Sequence, residues 1–353
     1  MKLDEILQKI EPIDESFRKK AMERNDNLLM PLRAMGRLHE ISEQLAAIYR
    51  TLKPKMEKGA VFVMAGDHGV VEEGVSSFPQ EVTGLMFNAF LNDLATVSVL
   101  GKLEGLDIIL ADIGSKFDPS NIKNFKNEFV AKKVVSGTRN FTREPAMTKE
   151  EAIRSIEAGI EITLKYIKEK KLDVVITGEM GIGNTTPSAA IGAVITGSRV
   201  EDMTGKGAGL NIEGVKRKID VIKRGIEIHK PDPEDPIDIL SKVGGAEIGA
   251  IAGIILAAAY SKIPAIIDGF ISTAGALLAY KLNSDARGYM IAGHCSEEPG
   301  HIRMLNYLNI KPILNLNMRL GEGTGAVLAL PIVKQAANMI SNVATFEEAG
   351  IPK

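Results

Sequence analysis

The residues best suited to do chemistry in this 353-residue chain are Gly178-Glu179-Met180-Gly181-Ile182-Gly183-Asn184-Thr185-Thr186-Pro187. The β-branched run at 172–177 ahead of them reads as a strand. Thr186 followed by Pro187 reads as an N-cap hydroxyl with proline in the first helical position. Bare amide N–H groups at such a helix start meet an anion with no side chain in the way, which suits a phosphate. The turn matches neither common nucleotide fingerprint: Thr186 stands where a third Rossmann glycine belongs, and no Gly-Lys-Ser/Thr follows as in a P-loop. Glycines that only satisfy backbone angles would also explain the turn. Glu179 tilts the balance toward a ligand, because a carboxylate there has no evident packing role.

A second cluster, Arg319-Leu320-Gly321-Glu322-Gly323-Thr324-Gly325-Ala326, lies near the other end of the chain. Gly321, Gly323 and Ala326 fit the loose dinucleotide pattern, but one helical stretch follows and leaves no room for the second strand of a βαβ unit. A better reading is a carboxylate, Glu322, delivered on a glycine-flanked turn to the strand edge that carries Glu179. Two carboxylates near one anion site divide the work: one accepts a proton, the other orients a hydroxyl or stabilises positive charge. A glutamate that merely satisfies amides at a helix start is the structural alternative. Asp67 and His68, in Ala65-Gly66-Asp67-His68-Gly69, could form a metal site with Asp112 and Asp268, although no close ligand pair shares a helix. Gly293-His294-Cys295-Ser296-Glu297-Glu298-Pro299-Gly300-His301 gathers His, Cys and Glu. A nucleophile there needs a positioned base, and the simpler expectation is a loop whose side chains cap the next helix.

These residues need a scaffold that gathers strand ends. Short apolar runs at 61–64, 108–110, 174–176, 265–267, 289–291 and 313–316 each end in turn residues and precede helical segments. The pattern predicts an α/β fold: a mostly parallel sheet with helices on both faces, Rossmann-like and three-layered, plus a small helical domain. In such sheets ligands sit beyond the carboxyl ends of the strands. Residues 1–59 read as that small helical domain, with 334–353 completing it, and 60–333 as the large catalytic domain. Leu38, Ile41, Leu45 and Ile48 form an apolar stripe that needs a partner surface. Thr148 with Glu151 makes a capping box before an amphipathic helix over 149–170, the Pro- and Asp-rich segment 230–236 is a surface loop, and 248–259 and 326–333 read as core helices.

Composition narrows the partner. A formal net charge of -2 with 25% charged and 45% hydrophobic residues carries no nucleic-acid footprint, so a small molecule is expected. The single Cys295 excludes an internal disulfide and a cysteine-based zinc site and fits a reducing compartment. The charged start Met1-Lys2-Leu3-Asp4-Glu5 lacks the apolar core of a signal peptide, which predicts a cytoplasmic protein. The longest uncharged run, 180–198, carries glycines, Asn184, Pro187 and hydroxyls, so no membrane-spanning helix is expected.

Taken in order, Ala65-Gly66-Asp67-His68-Gly69-Val70, Gly137-Thr138-Arg139-Asn140 with Pro145-Ala146-Met147-Thr148, the 178–186 turn, Asp268-Gly269-Phe270, Glu298-Pro299-Gly300-His301 and the 321–326 turn resemble one family. That family is nicotinate-nucleotide:dimethylbenzimidazole phosphoribosyltransferase, and the likeness runs from about Leu28 to about Val333. The resemblance implies transfer of a phosphoribosyl group from nicotinate mononucleotide to a benzimidazole-type base, giving an α-ribazole phosphate and nicotinate for the lower ligand of cobamides. It implies no metal or other cofactor, and a homodimer.

By motif, Glu322 resembles the family's general base and Glu179 its second active-site carboxylate. Gly181, Gly183, Asn184, Thr185 and Thr186 resemble the 5′-phosphate cradle, Lys218 a phosphate-side lysine, and Pro79 and Gln80 part of the acceptor-base pocket. Two segments depart from the family pattern: Asp93-Leu94-Ala95-Thr96-Val97-Ser98 replaces a Gly-Gly-Ala-Ala-Ile-Asn run, and Met30-Pro31-Leu32-Arg33-Ala34-Met35-Gly36 replaces Pro-Pro-Gly-Ser-Leu-Gly. Bulkier and charged residues there would reshape a pocket wall or a subunit contact. Two other classes compete with the transferase: a metal-dependent phosphohydrolase using Asp67, His68 and Asp112, and a non-catalytic nucleotide-binding protein.

Overall fold

The computed structural model describes residues 2–122 and 125–353. α1 (Leu3–Leu7), α2 (Glu15–Asn27) and α3 (Arg37–Tyr49) lead into β1 (Gly59–Gly66). α4 (Val82–Leu91) and α5 (Thr96–Leu103) precede β2 (Asp107–Gly114) and β3 (Glu128–Ala131), and α6 (Lys149–Lys170) leads to β4 (Val174–Met180). α7 (Thr185–Thr196), α8 (Val200–Met203), α9 (Ile212–His229), α10 (Pro236–Val243) and α11 (Ala246–Ser261) then come before β5 (Ala265–Ile267). α12 (Phe270–Leu282), β6 (Met290–Ala292), α13 (His301–Leu308) and α14 (Thr324–Asn342) follow.

The strands form one sheet in the order β3-β2-β1-β4-β5-β6, with every neighbouring pair parallel. The order reverses between β1 and β4, which opens a crevice beyond their carboxyl ends. Side chains alternate across the sheet. Phe62, Met64, Ile109, Ala111, Val175 and Ala265 face one apolar layer with α6, α11 and α12. Val61, Val63, Ile108, Leu110, Ile176 and Ile266 face a second with α3, α4, α5 and α14. The expected three-layer α/β architecture is thus present, with every strand pairing parallel. Burial on both faces is the reason the central strands read as unbroken apolar runs. The capping box of Thr148 and Glu151 starts α6 as expected.

The apolar stripe on α3 finds its partner within the chain. Ile41 and Leu45 join the second layer, Ile48 joins the first, and α2 and α14 pack against the helix. α14 runs unbroken from the sheet, where Leu330 and Val333 pack, to a seat where Ile340 meets Ala21 and Ala46. Residues 82–103 form the one described stretch apolar and long enough to cross a membrane by composition, and it is split into α4 and α5 around Asn92–Ala95.

Four local expectations change. β4 does not stop at Thr177 but pairs on with β1 as far as Ala65 opposite Met180, so Glu179 belongs to a strand and not to a turn. The helix after it starts two residues early, with Asn184 at the N-cap, so Thr186 and Pro187 both lie inside α7. Residues 313–316 are no strand: Leu314 makes a single bridge to His294, and Leu316 is exposed. The sixth strand is β3, a half-exposed edge with no apolar run to announce it.

Candidate active site

The carboxyl ends of β4, β5 and β6, the start of α14 and the loop before α4 enclose a cavity of about 240 Å³. Glu179, Gly181, Gly183, Asn184, Thr185 and Glu322 all line it. Gly178 makes this possible. A Cβ on it would stand 2.5 Å from the Glu322 carbonyl oxygen, so only glycine lets the 321–323 turn lie against β4. That turn is left-handed at three successive residues, with φ of 86° at Gly321, 64° at Glu322 and 95° at Gly323. The flanking glycines adopt this freely, whereas Glu322 does so at a cost of about 1 kcal/mol or more, the kind of local strain that clusters at functional sites.

The two glutamates are linked. Glu179 accepts the Glu322 N–H at 3.3 Å through Oε1 and the Asn184 amide through Oε2. Burial raises the Glu179 carboxyl to about 8, with the charge of Asp268 adding to it and the Asn184 hydrogen bond opposing. Burial and then Asp268 raise Glu322 to about 7, and the main-chain N–H of Val97 in α5 pulls it back. Glu322 Oε2 has no partner among the described residues, which leaves a buried acceptor facing no protein donor. Between about pH 7 and 8 the pair therefore favours an ionised Glu322 beside a protonated Glu179, a base beside a hydrogen-bond donor.

The other end of the cavity is built for an anion. The N–H groups of Gly183 and Thr185 make no backbone hydrogen bond among the described residues. Lys218, from α9, is fully buried behind the wall and does not itself line the cavity; its Nζ donates to Thr185 Oγ1 at 2.6 Å. Burial depresses its ammonium to about 8, the charge of Glu298 partly restoring it. Lys218 makes no ion pair among the described residues, so a buried cation stands without a close anion beside two free amides. Glu298 reaches across to accept the Gly207 N–H at 2.8 Å, and Arg319 stands at the wall with Nη1 3.5 Å from the Gly207 carbonyl.

The remaining expected site residues lie elsewhere. Thr186 is fully buried with an unpartnered hydroxyl and is not part of the cavity wall. Pro79 and Gln80 are also outside the wall, and Gln80 Nε2 donates to the His68 carbonyl at 2.9 Å. Ser76, Phe78, Val82 and Met86 of that region line it instead. Neither departing segment lines the cavity, although the Val97 N–H of the first supports Glu322 from behind: Asp93 is taken up by Lys102 and Asn127, and Arg33 by Asp26 and Glu43.

The phosphohydrolase reading fails on geometry. His68 Nε2 bonds Glu247 Oε1 at 2.6 Å, Asp67 accepts the Lys116 N–H at 2.7 Å, and Asp112 accepts from Ser115 N–H at 2.8 Å. None of the three lines the cavity, and the described residues hold no cluster of three or more metal-ligating side chains. The 293–301 segment does not cap α13 with a side chain either. Cys295 is off the wall with its thiol raised by burial. His301 is pushed down to about 3 by burial and then by His294; it accepts the Ser296 N–H on Nδ1, so Nε2 donates to Thr273 Oγ1 at 2.9 Å. Asp268, His294, Ser296, Glu298 and Arg319, all in segments named above but given no role at this site, also line the cavity; the closeness of Asp268 to the segment after β6 arises from the order β4-β5-β6.

A family model described as "Phosphoribosyltransferase" matches residues 10–351. A protein of Desulforamulus reducens named nicotinate-nucleotide–dimethylbenzimidazole phosphoribosyltransferase is 49% identical over 352 residues, covering 99% of each chain. One of the same name from Desulfotalea psychrophila is 47% identical over 350 residues, covering 99% of this chain and 98% of the relative. The crystal structure of CobT from Thermus thermophilus superimposes with a TM-score of 0.90 at 40% identity, covering 96% of this chain and 99% of that one.

Proposed function

The chain belongs to the nicotinate-nucleotide–dimethylbenzimidazole phosphoribosyltransferase family, and we propose that its cavity moves the 5-phosphoribosyl group of nicotinate mononucleotide to 5,6-dimethylbenzimidazole or a similar base. The products are α-ribazole 5′-phosphate and nicotinate, the former destined for the nucleotide loop of a cobamide. The observation that carries this reading is the joining, in one cavity, of an unpartnered Glu322 oxygen with a free-amide turn backed by Lys218.

In this reading the 5′-phosphate sits against Gly181, Gly183, Asn184 and Thr185, with Lys218 supplying charge behind Thr185. One ring nitrogen of the acceptor attacks the anomeric carbon on the face opposite nicotinate. The carbon–nitrogen bond to nicotinate breaks with its electron pair going to the pyridine nitrogen, and Glu322 takes the proton from the acceptor's other ring nitrogen. Displacement of this kind inverts β to α. Glu179, protonated near neutral pH, orients a substrate hydroxyl, and fixed amides hold the phosphate in register as the reacting atoms close.

Incubation with nicotinate mononucleotide and dimethylbenzimidazole in the presence of a chelator tests the function. Nicotinate release matched by a ribazole phosphate is the expected result, and mononucleotide binding without either product would overturn it. The working form is a cytoplasmic homodimer, in which residues 1–59 and 334–353 make a helical domain beside the catalytic one. Exposed Leu85, Leu94, Val99 and Leu103 on and between α4 and α5 support an interface there. Sedimentation at micromolar concentration checks the assembly, and a monomer would refute it.

A further inference from the structure

Asp268 follows β5, the neighbour of β4, and is 2% exposed. Its side chain is spent on the protein. Oδ2 accepts the Gly323 N–H at 3.2 Å and Oδ1 the Ala326 N–H at 3.0 Å, while its own N–H donates to Thr177 Oγ1 at 3.1 Å. One carboxylate thus ties the start of α14 to both β4 and β5. Those two acceptors, together with the Glu179 carboxylate that takes the Glu322 N–H, hold the left-handed Glu322 against relaxation toward ordinary backbone angles.

We propose that Asp268 is a positioning residue for the transfer, clamping the 321–323 turn against β4 and setting its carboxylate behind the general base Glu322. This rests on Glu322 being that base. The groups facing Glu322 are Asp268 and the Val97 amide of α5, and those facing Glu179 are Asp268, Asn184, the Glu322 amide and Glu247 of α11. His294 faces Asp268 itself from the loop after β6, with Nε2 3.6 Å from Oδ1. Among these, Asp268 is the charge common to both glutamates, so it governs placement and proton affinity together. A purely structural clamp would govern placement alone.

Asp268→Asn separates the two roles. The acid limb of kcat/KM, set by ionisation of the base, should move to lower pH by about one unit or more, because a like charge beside it is gone. At pH 8 kcat should fall roughly tenfold or more as the turn loosens, with KM for nicotinate mononucleotide within about threefold, since the hydrogen bonds of Asp268 go to Thr177, Gly323 and Ala326 and none to the phosphate cradle. Lower amplitude with an unmoved acid limb overturns the proposal. If Asp268→Asn does not fold, Thr177→Val removes the anchor of the Asp268 N–H and leaves every carboxylate in place. It should lower kcat roughly tenfold at unchanged KM, and wild-type kcat would overturn the clamp. Wild-type enzyme measured alongside keeps the failures distinct: no nicotinate release from it sinks the function, whereas normal release with an unmoved limb in the variant sinks the role of Asp268.

Discussion

Glu322→Gln should cripple the enzyme and stabilise the protein at once. Its folded carboxyl is raised from an ordinary value of 4.5 to about 7, so the folded state holds this proton more tightly than the unfolded chain does. Below about pH 4.5 both states are protonated and the group costs nothing; from there to about 7 the cost grows, and above 7 it is fully present. The interval between the two values corresponds to about 3 kcal/mol of destabilisation at pH 8. Glutamine is uncharged and escapes it. With an unfolding entropy of about 2.1 cal/mol/K per residue over 353 residues, that gain raises Tm by about 4 °C. Loss of the proposed general base should lower kcat by about 10²–10⁴-fold with mononucleotide affinity within about twofold. Thermal unfolding of both proteins at pH 5 and pH 8, beside turnover at pH 8, reads all of this. A Tm gain absent at pH 8, equal at both pH values, or accompanied by normal turnover would refute the assignment of a buried, reactive carboxylate.

Other outcomes follow from neighbouring contacts. Wild-type kcat/KM should fall as pH drops through about 7, when Glu322 takes up a proton, and a pH-rate profile shows it. Lys218→Met should raise KM for nicotinate mononucleotide at least about tenfold with a smaller effect on kcat, because the lost charge acts on the phosphate. Wild-type affinity for the mononucleotide, measured by calorimetry, should also weaken as pH rises above about 8 and Lys218 loses its proton. Gly178→Ala drives a methyl group into the Glu322 carbonyl, so kcat should fall about 10²-fold while overpacking costs about 1–3 kcal/mol of stability. Retained kcat in that variant would show that the turn tolerates displacement.

The strands at 61–64 and 174–176 were legible because a parallel strand buried on both faces has no polar side to interrupt it. β3 was not, since Glu128 and Ala131 are exposed and only pairing with β2 makes it a strand. Residues 313–316 carry the same apolar signal as a true strand, but a single bridge is all the neighbouring chain offers them. Glu179 was read on a turn because Gly178 beside it looks like punctuation. Pairing with Val63 overrides that preference, and the glycine is needed for the approach of a segment over a hundred residues away. Glycine clusters at strand ends thus marked the cavity. Which acids share it, Asp268 above all, depends on strand adjacency, which local spacing does not encode.

Glu322 sits at the head of α14, and the foot of that helix rests on alanines near the beginning of the chain, Ala21 and Ala46. Nineteen residues make a rod of about 28 Å, with one rung missing at Pro331. A lever of that length turns remote crowding into misalignment at the reacting atoms. Ala46→Leu, far from any substrate, should thus betray itself first as slower turnover with undiminished ligand affinity, and the far end of the molecule becomes a place from which the catalyst can be detuned.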